Sequence, residues 1–176
     1  GRVGTGKSTV ARLLSDHTGF VTFNSDVVRK RLAGLPPTTR ATADYQDGIY
    51  TSAFTKRTYT ALANHATQEL RDGHGVIIDA TCKQPEYRRI FLELGNRLGA
   101  PVVFVECRTP LAKVERRLRE RERRGDSASD ATWDLAQQEE ATFPPFDDIP
   151  EGQRFSLNTD QALEDQLGAL EEQLSQ

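Results

Sequence analysis

The chain opens on Gly1-Arg2-Val3-Gly4-Thr5-Gly6-Lys7-Ser8-Thr9, a complete match to the pattern G-x-x-x-x-G-K-[ST]. Glycines at positions 1, 4 and 6 let backbone N–H groups turn inward around one anion, and a helix starting near Lys7 aims its positive dipole end at the same spot. In that setting Lys7 reaches the β- and γ-phosphates of a nucleoside triphosphate, and Ser8 is placed to ligate Mg²⁺. The expected nucleotide-binding set is therefore Gly1, Val3, Gly4, Thr5, Gly6, Lys7, Ser8 and Thr9. The motif ordinarily stands between a strand and a helix, yet Gly1 is the first residue and the chain has no methionine. Both facts lead us to expect a piece of a longer protein, whose first strand lies upstream.

Downstream, short β-rich runs alternate with amphipathic stretches. Strands are expected at Phe20 to Asn24, Val76 to Asp79, Val102 to Cys107 and Phe155 to Asn158. They are nearly continuous apolar runs, which suits strands of a parallel sheet covered on both faces. Helices are expected at roughly Lys7 to His17, Asp26 to Ala33, Ser52 to Asp72, Pro85 to Leu98, Leu111 to Arg123, Ser129 to Thr142 and Gln161 to Leu174, with Gly19, Gly73 and Gly99 as C-terminal stops. The alternation predicts an α/β fold in one domain, residues 1–176, close to the ~150 residues of a typical domain.

Composition excludes several function classes. No apolar run approaches the ~18–20 residues that cross a bilayer, and no signal-peptide pattern is present, which favours a cytoplasmic location. Cys82 and Cys107 lie in separate apolar segments and form no metal-ligand cluster with His17, His65 and His74, so neither a disulfide scaffold nor a zinc site is expected. A net charge of −3, from 23 basic and 26 acidic residues, offers no bulk attraction to nucleic acid.

Two aspartates sit at expected strand ends, where α/β sheets bind ligands. Asp79 closes Val76-Ile77-Ile78, the setting in which a carboxylate holds Mg²⁺ directly or through water. Asp26 opens Asp26-Val27-Val28-Arg29-Lys30-Arg31-Leu32. It reads either as a general base taking the proton of an acceptor hydroxyl or as an ordinary helix N-cap.

Lys113 to Arg124 carries seven positive and three negative charges. At about 100° per residue, Arg117 and Arg121 fall on or beside the apolar stripe of Leu111, Val114 and Leu118, whereas Arg116, Arg119 and Arg123 face away. An arginine on a buried stripe needs an anion, and a triphosphate fits. The polar segment that follows has the composition of a mobile lid over about 122–131, which would bring Arg124 to the phosphates. Tyr45, Tyr50 and Tyr59 are candidates for an acceptor pocket or for the core, and Asn158-Thr159-Asp160 for an adenine-contacting loop or an ordinary turn.

Gly1 to Ser8, Ser25-Asp26-Val27-Val28-Arg29-Lys30-Arg31-Leu32-Ala33-Gly34-Leu35, Val76-Ile77-Ile78-Asp79-Ala80-Thr81, Val105-Glu106-Cys107-Arg108, Arg117-Leu118 to Arg121, and Ser129-Asp130-Ala131 together carry a resemblance. The chain resembles the P-loop kinases of the nucleotide-kinase superfamily, and more closely the predicted-kinase group similar to polynucleotide 5′-hydroxyl kinase and zeta toxins. The resemblance implies a three-layer P-loop NTPase of kinase type with a parallel sheet of order 2-3-1-4-5, the first and central strand being absent from this chain. It implies Lys7 and Ser8 on ATP–Mg, Asp26 as base, Arg29 near the acceptor, and arginines of the lid on the transferring phosphate. It also implies, in some members, a fused N-terminal domain similar to aminoglycoside phosphotransferases.

The expected activity is transfer of the γ-phosphoryl group of ATP, with Mg²⁺, to a hydroxyl on a small molecule or a nucleic-acid 5′ end. Lys7, Asp26, Arg121 and Arg124 are the expected catalytic residues, Arg117 and Arg121 join the ATP site, Asp26, Arg29 and Asp79 meet the substrate, and Ser8 and Asp79 hold the metal. The rival expectation is an ATP-binding regulatory module with no phosphoryl acceptor. A helical ATPase ring is disfavoured, because little chain follows the last helix.

Overall fold

The fold was derived from a computed structural model that describes residues 1–39, 48–124, 130 and 132–174; the side chains of Arg124 and Gln173 lie outside the description. In chain order the elements are α1 (Lys7–Thr18), β1 (Val21–Asn24), α2 (Ser25–Leu32), α3 (Ser52–Arg71), β2 (Val76–Asp79), α4 (Pro85–Leu98), β3 (Phe104–Arg108), α5 (Leu111–Arg124), α6 (Trp133–Thr142), β4 (Arg154–Asn158) and α7 (Glu164–Leu174). Every strand and helix expected from the periodicity is present, with ends displaced by a few residues. The largest displacement is at α6, where Thr132 accepts a hydrogen bond from the Leu135 N–H and starts the helix there.

Both strand pairings are parallel. β1 lies beside β2 in the register Val21↔Val76 to Asn24↔Asp79, and β3 beside β4 from Phe104↔Arg154 to Arg108↔Asn158. These are the neighbours that the order 2-3-1-4-5 requires of its second and third, and of its fourth and fifth, strands. The two pairs are not hydrogen-bonded to each other. Between them runs an apolar slot of about 320 Å³, lined by residues that include Val10, Leu14, Ile77, Phe91, Val103 and Val105.

Strand side chains alternate between two helical layers. Phe23, Ile78 and Phe104 pack toward Val28 of α2, Tyr59 and Leu62 of α3, and Tyr87 and Phe91 of α4. Ile77, Val105, Cys107 and Leu157 pack toward Val10 and Leu14 of α1 and Leu167 and Leu170 of α7. A third cluster joins Val3 to Val114 and Leu118 of α5 and Ala136 of α6. That cluster seats the opening loop against two helices that come more than a hundred residues later.

Arg88 braces the same end of the molecule. Fully buried, it donates Nη1 to the carbonyls of Cys82 and Lys83, both at 2.9 Å, and Nε to Asp148 Oδ2 at 2.9 Å, while its guanidinium lies 4.8 Å from the Phe146 ring centre. The segments after β2 and before β4 are thereby locked together.

Candidate active site

The phosphate loop has the backbone that its glycines predict. Gly4 and Gly6 adopt φ of 71° and 92°, in the left-handed region that side chains disfavour. A Cβ at Gly4 would stand 2.7 Å from Val114 Cγ1, and one at Gly6 would stand 3.3 Å from Arg117 Nη1. Glycine is required at both positions by conformation and by room. Gly6 directly precedes α1, so the free N–H groups of the first helical turn open into the loop.

Protein groups already hold part of this loop. Thr5, fully buried, donates its hydroxyl to the Arg2 carbonyl at 2.8 Å, and Lys7 Nζ donates to the same carbonyl at 2.6 Å. Burial pushes the Lys7 ammonium below its ordinary value, with the Asp79 carboxylate the first of several charges opposing that shift. A buried cation of this kind gains from an incoming phosphate. The Val3 N–H donates to Glu139 Oε2 of α6 at 2.9 Å, and the neighbouring Glu140 is ion-paired with Arg2. Gly1 is buried beside Cys107, whereas Ser8 and Thr9 are exposed at the start of α1.

At the adjoining strand ends, Asn24 does two jobs. Its Oδ1 accepts from the Asp26 and Val27 N–H groups at 2.9 and 3.0 Å, and its Nδ2 donates to Asp79 Oδ2 at 2.6 Å. Asn24 is therefore the N-cap of α2, which settles the cap reading of Asp26 against Asp26 itself. The Asp26 carboxylate meets a hydroxyl instead: Tyr50 Oη lies 3.3 Å from Asp26 Oδ1 and 3.1 Å from Asp130 Oδ2. Asp130 in turn is ion-paired with Lys30 at 3.0 Å.

Arg29 supports this group from below. Its guanidinium lies 4.6 Å from the Tyr50 ring centre, and Nη1 donates to the Ile49 carbonyl at 2.7 Å and Thr55 Oγ1 at 3.1 Å. Tyr59, by contrast, stacks on Tyr87 at 4.1 Å and bonds the Cys82 N–H, so of the three candidate tyrosines it belongs to the core. Tyr45 lies outside the described residues.

On α5 the burial separates the arginines as the helical period predicts: Arg117 and Arg121 are half-buried, and Arg116, Arg119 and Arg123 are exposed. Arg117 donates to Thr159 Oγ1 at 3.0 Å and to its carbonyl at 2.6 Å. Thr159 then donates to the Thr5 carbonyl at 2.7 Å, tying the loop after β4 to the phosphate loop. The Arg124 side chain and residues 125–129 and 131 of the expected lid lie outside the described residues.

The residues expected to hold a metal are an alcohol and a carboxylate. Ser8 supplies an exposed hydroxyl and Asp79 a buried carboxylate, both hard oxygen donors. No group of three or more His, Cys, Asp or Glu suited to a metal occurs among the described residues. A site with one carboxylate and one hydroxyl fits Mg²⁺, which usually takes few protein ligands and completes its shell with phosphates and water.

Sequence reasoning passed over Asn24, Lys30, Glu139 and Arg88. Asn24 had a legible signal, an Asn directly before a helical period. The partners of the other three are set by contacts across the fold and leave no local mark.

The family model described as AAA domain matches residues 1–146, from the phosphate loop to the end of the α6 region. The chain belongs to this AAA domain family. This family member is 29% identical over 136 residues to uncharacterized proteins of Mycobacterium bovis and Mycobacterium tuberculosis, an alignment covering 77% of the chain and 27% of each relative. It thus spans about a quarter of the length of the curated relatives it matches. Among solved structures, a sugar kinase from Janibacter sp. HTCC2649 superposes with a TM-score of 0.71 at 21% identity, covering 99% of this chain and 91% of that one. The Mycobacterium tuberculosis APS kinase in complex with AMPPNP and APS gives 0.66 at 22% identity, over 100% and 94% of the two chains. A gluconokinase from Sinorhizobium meliloti 1021 gives 0.61 at 18% identity, over 99% and 88%. The fold of this AAA domain is that of an α/β P-loop kinase.

Proposed function

We propose that the chain is an ATP- and Mg²⁺-dependent phosphotransferase that moves the γ-phosphoryl group of ATP to a hydroxyl acceptor. The observation that carries this reading is Asp26: relieved of capping by Asn24, its carboxylate stands within reach of a hydroxyl at the end of a strand pair beside the phosphate loop.

In the proposed reaction the loop N–H groups and Lys7 hold the β- and γ-phosphates, Ser8 and Asp79 hold Mg²⁺, and Arg117 and Arg121 flank the nucleotide from α5. Bound Mg²⁺ supplies neutralisation of phosphate charge. The acceptor oxygen forms its bond to the γ-phosphorus as the bond from that phosphorus to the β–γ bridging oxygen breaks. ADP leaves with that electron pair, and the acceptor proton passes to the Asp26 carboxylate. Catalysis is chiefly positioning and charge stabilisation.

The test incubates the full-length protein with γ-labelled ATP, Mg²⁺ and pooled acceptors: sugars, nucleosides, aminoglycosides and 5′-hydroxyl oligonucleotides. Label should enter one acceptor and disappear in Asp26→Ala. Tight ATP binding with label only in ATP or free phosphate favours the regulatory-module reading.

A further inference from the structure

Asp26 already has a hydroxyl seated on it, and that hydroxyl shows what an acceptor would meet. Tyr50 Oη stands between Asp26 Oδ1 at 3.3 Å and Asp130 Oδ2 at 3.1 Å. A phenol has one proton to donate, so it satisfies one of these carboxylates at a time. Two carboxylate oxygens thus share one O–H donor at this point.

Asp130 has a second unmet requirement. Its side chain is 6% exposed, and Lys30, fully buried, balances its charge at Oδ2. Its other oxygen, Oδ1, is buried and has no hydrogen-bond partner among the described residues. Buried carboxylate oxygens are costly to leave unpaired, and native folds seldom leave them so. Arg29 does not supply the missing donor: its Nη1 is engaged by Ile49 and Thr55 beneath the Tyr50 ring, and its buried Nε bonds no group among the described residues.

We propose that Asp130, with Lys30 behind it, is a second acceptor-binding carboxylate, and that the acceptor is an uncharged molecule bearing at least two neighbouring hydroxyls, a polyol or sugar. The proposal rests on the reading of Asp26 as the residue that receives the acceptor proton. The acceptor displaces the Tyr50 hydroxyl, one of its O–H groups donating to Asp26 Oδ1 and the neighbouring one to Asp130 Oδ1. The atoms turned toward the Tyr50 hydroxyl are carboxylate oxygens, which accept and do not donate, so they match O–H groups and offer no hydrogen bond to a carboxylate or phosphate oxygen of an acceptor.

The experiment reads binding rather than turnover, so that it stands apart from the kinase assay. The full-length protein, with Mg²⁺ and a non-hydrolysable ATP analogue, is titrated by ligand-observed NMR with glucose, ribose, glycerol and myo-inositol, and in parallel with gluconate and a 5′-hydroxyl oligonucleotide. At least one neutral polyol should bind. Lys30→Met/Asp130→Leu, which removes both charges and strands neither, should weaken that polyol roughly ten- to a hundredfold, the loss of one hydrogen bond to a charged group, with analogue affinity unchanged. Asp130→Asn should weaken it in the same direction. Polyol binding undiminished in either variant, absence of polyol binding, or binding of gluconate or the oligonucleotide in its place overturns the proposal. A polyol that binds as expected but takes no label overturns the kinase reading and leaves the subsite standing.

Discussion

Two ion pairs have a fully buried cation, and they are built differently. In Arg88–Asp148 the guanidinium is saturated by two carbonyls, a carboxylate and an aromatic face, and both Asp148 oxygens accept from it. In Lys30–Asp130 one carboxylate oxygen is left without a partner among the described residues, and the other shares a tyrosine hydroxyl with a second carboxylate. Polar groups buried for stability are fully paired, because an unpaired one costs what the pairing was meant to save. An incomplete set marks a place where something else supplies the pairing.

The comparison breaks if the two pairs respond alike. The largest expected effect is on the incomplete side: Asp26→Asn should lower kcat roughly 10²- to 10⁴-fold, the usual range for a general base, with nucleotide affinity retained. Normal turnover in that variant removes Asp26 from the chemistry. On the saturated side, Arg88→Met leaves the Cys82 and Lys83 carbonyls without their donor and two segments unbraced. The expected loss is about 1–3 kcal/mol of unfolding free energy by urea titration, the cost of leaving buried acceptors unpaired, without selective loss of acceptor binding in the folded fraction.

A smaller effect tests the device that frees Asp26. Asn24→Ala removes the cap of α2 and the donor to Asp79, and should cost about 0.5–2 kcal/mol in thermal or denaturant unfolding. A cost near zero would show that the cap is not where the structure places it.

The smallest effect is a shape in the acid limb of stability. Hydrogen bonds from Arg88 hold the Asp148 carboxyl below the usual carboxylate value, ahead of the opposing effect of burial. A carboxyl lowered on folding stabilises the fold above its unfolded pKa, and that contribution is lost as pH falls through the lowered folded value. Asp148→Asn should therefore flatten the fall in stability below about pH 4. An acid limb as steep as in the parent chain assigns it to other carboxylates.

Much of the donor half was legible because its groups are consecutive. Gly4, Gly6 and Lys7 lie in one loop, and their spacing alone dictates left-handed turns, a helix start and a cation at its mouth. The arginine helix was legible for a related reason, since its period assigns Arg117 and Arg121 to the apolar stripe and the exposure agrees. Asp26 was legible as an alternative only. Whether it capped its helix turned on the hydrogen bonds of Asn24, two residues earlier.

The acceptor half was hidden, because Asp26, Lys30, Tyr50 and Asp130 come from segments that meet only after the sheet, α2 and α3 have packed. Glu139 reaches Val3 across 136 positions, and no local period reports that contact. What the amino-acid sequence determined by itself was a P-loop α/β fold, its strands and helices, and the phosphate-loop half of the proposed site, because backbone conformation and hydrophobic period act over a few residues. The cap, the saturated Arg88 brace and the unpaired oxygen of Asp130 were decided by tertiary structure alone, because which buried polar group finds a partner depends on what distant chain the core brings beside it.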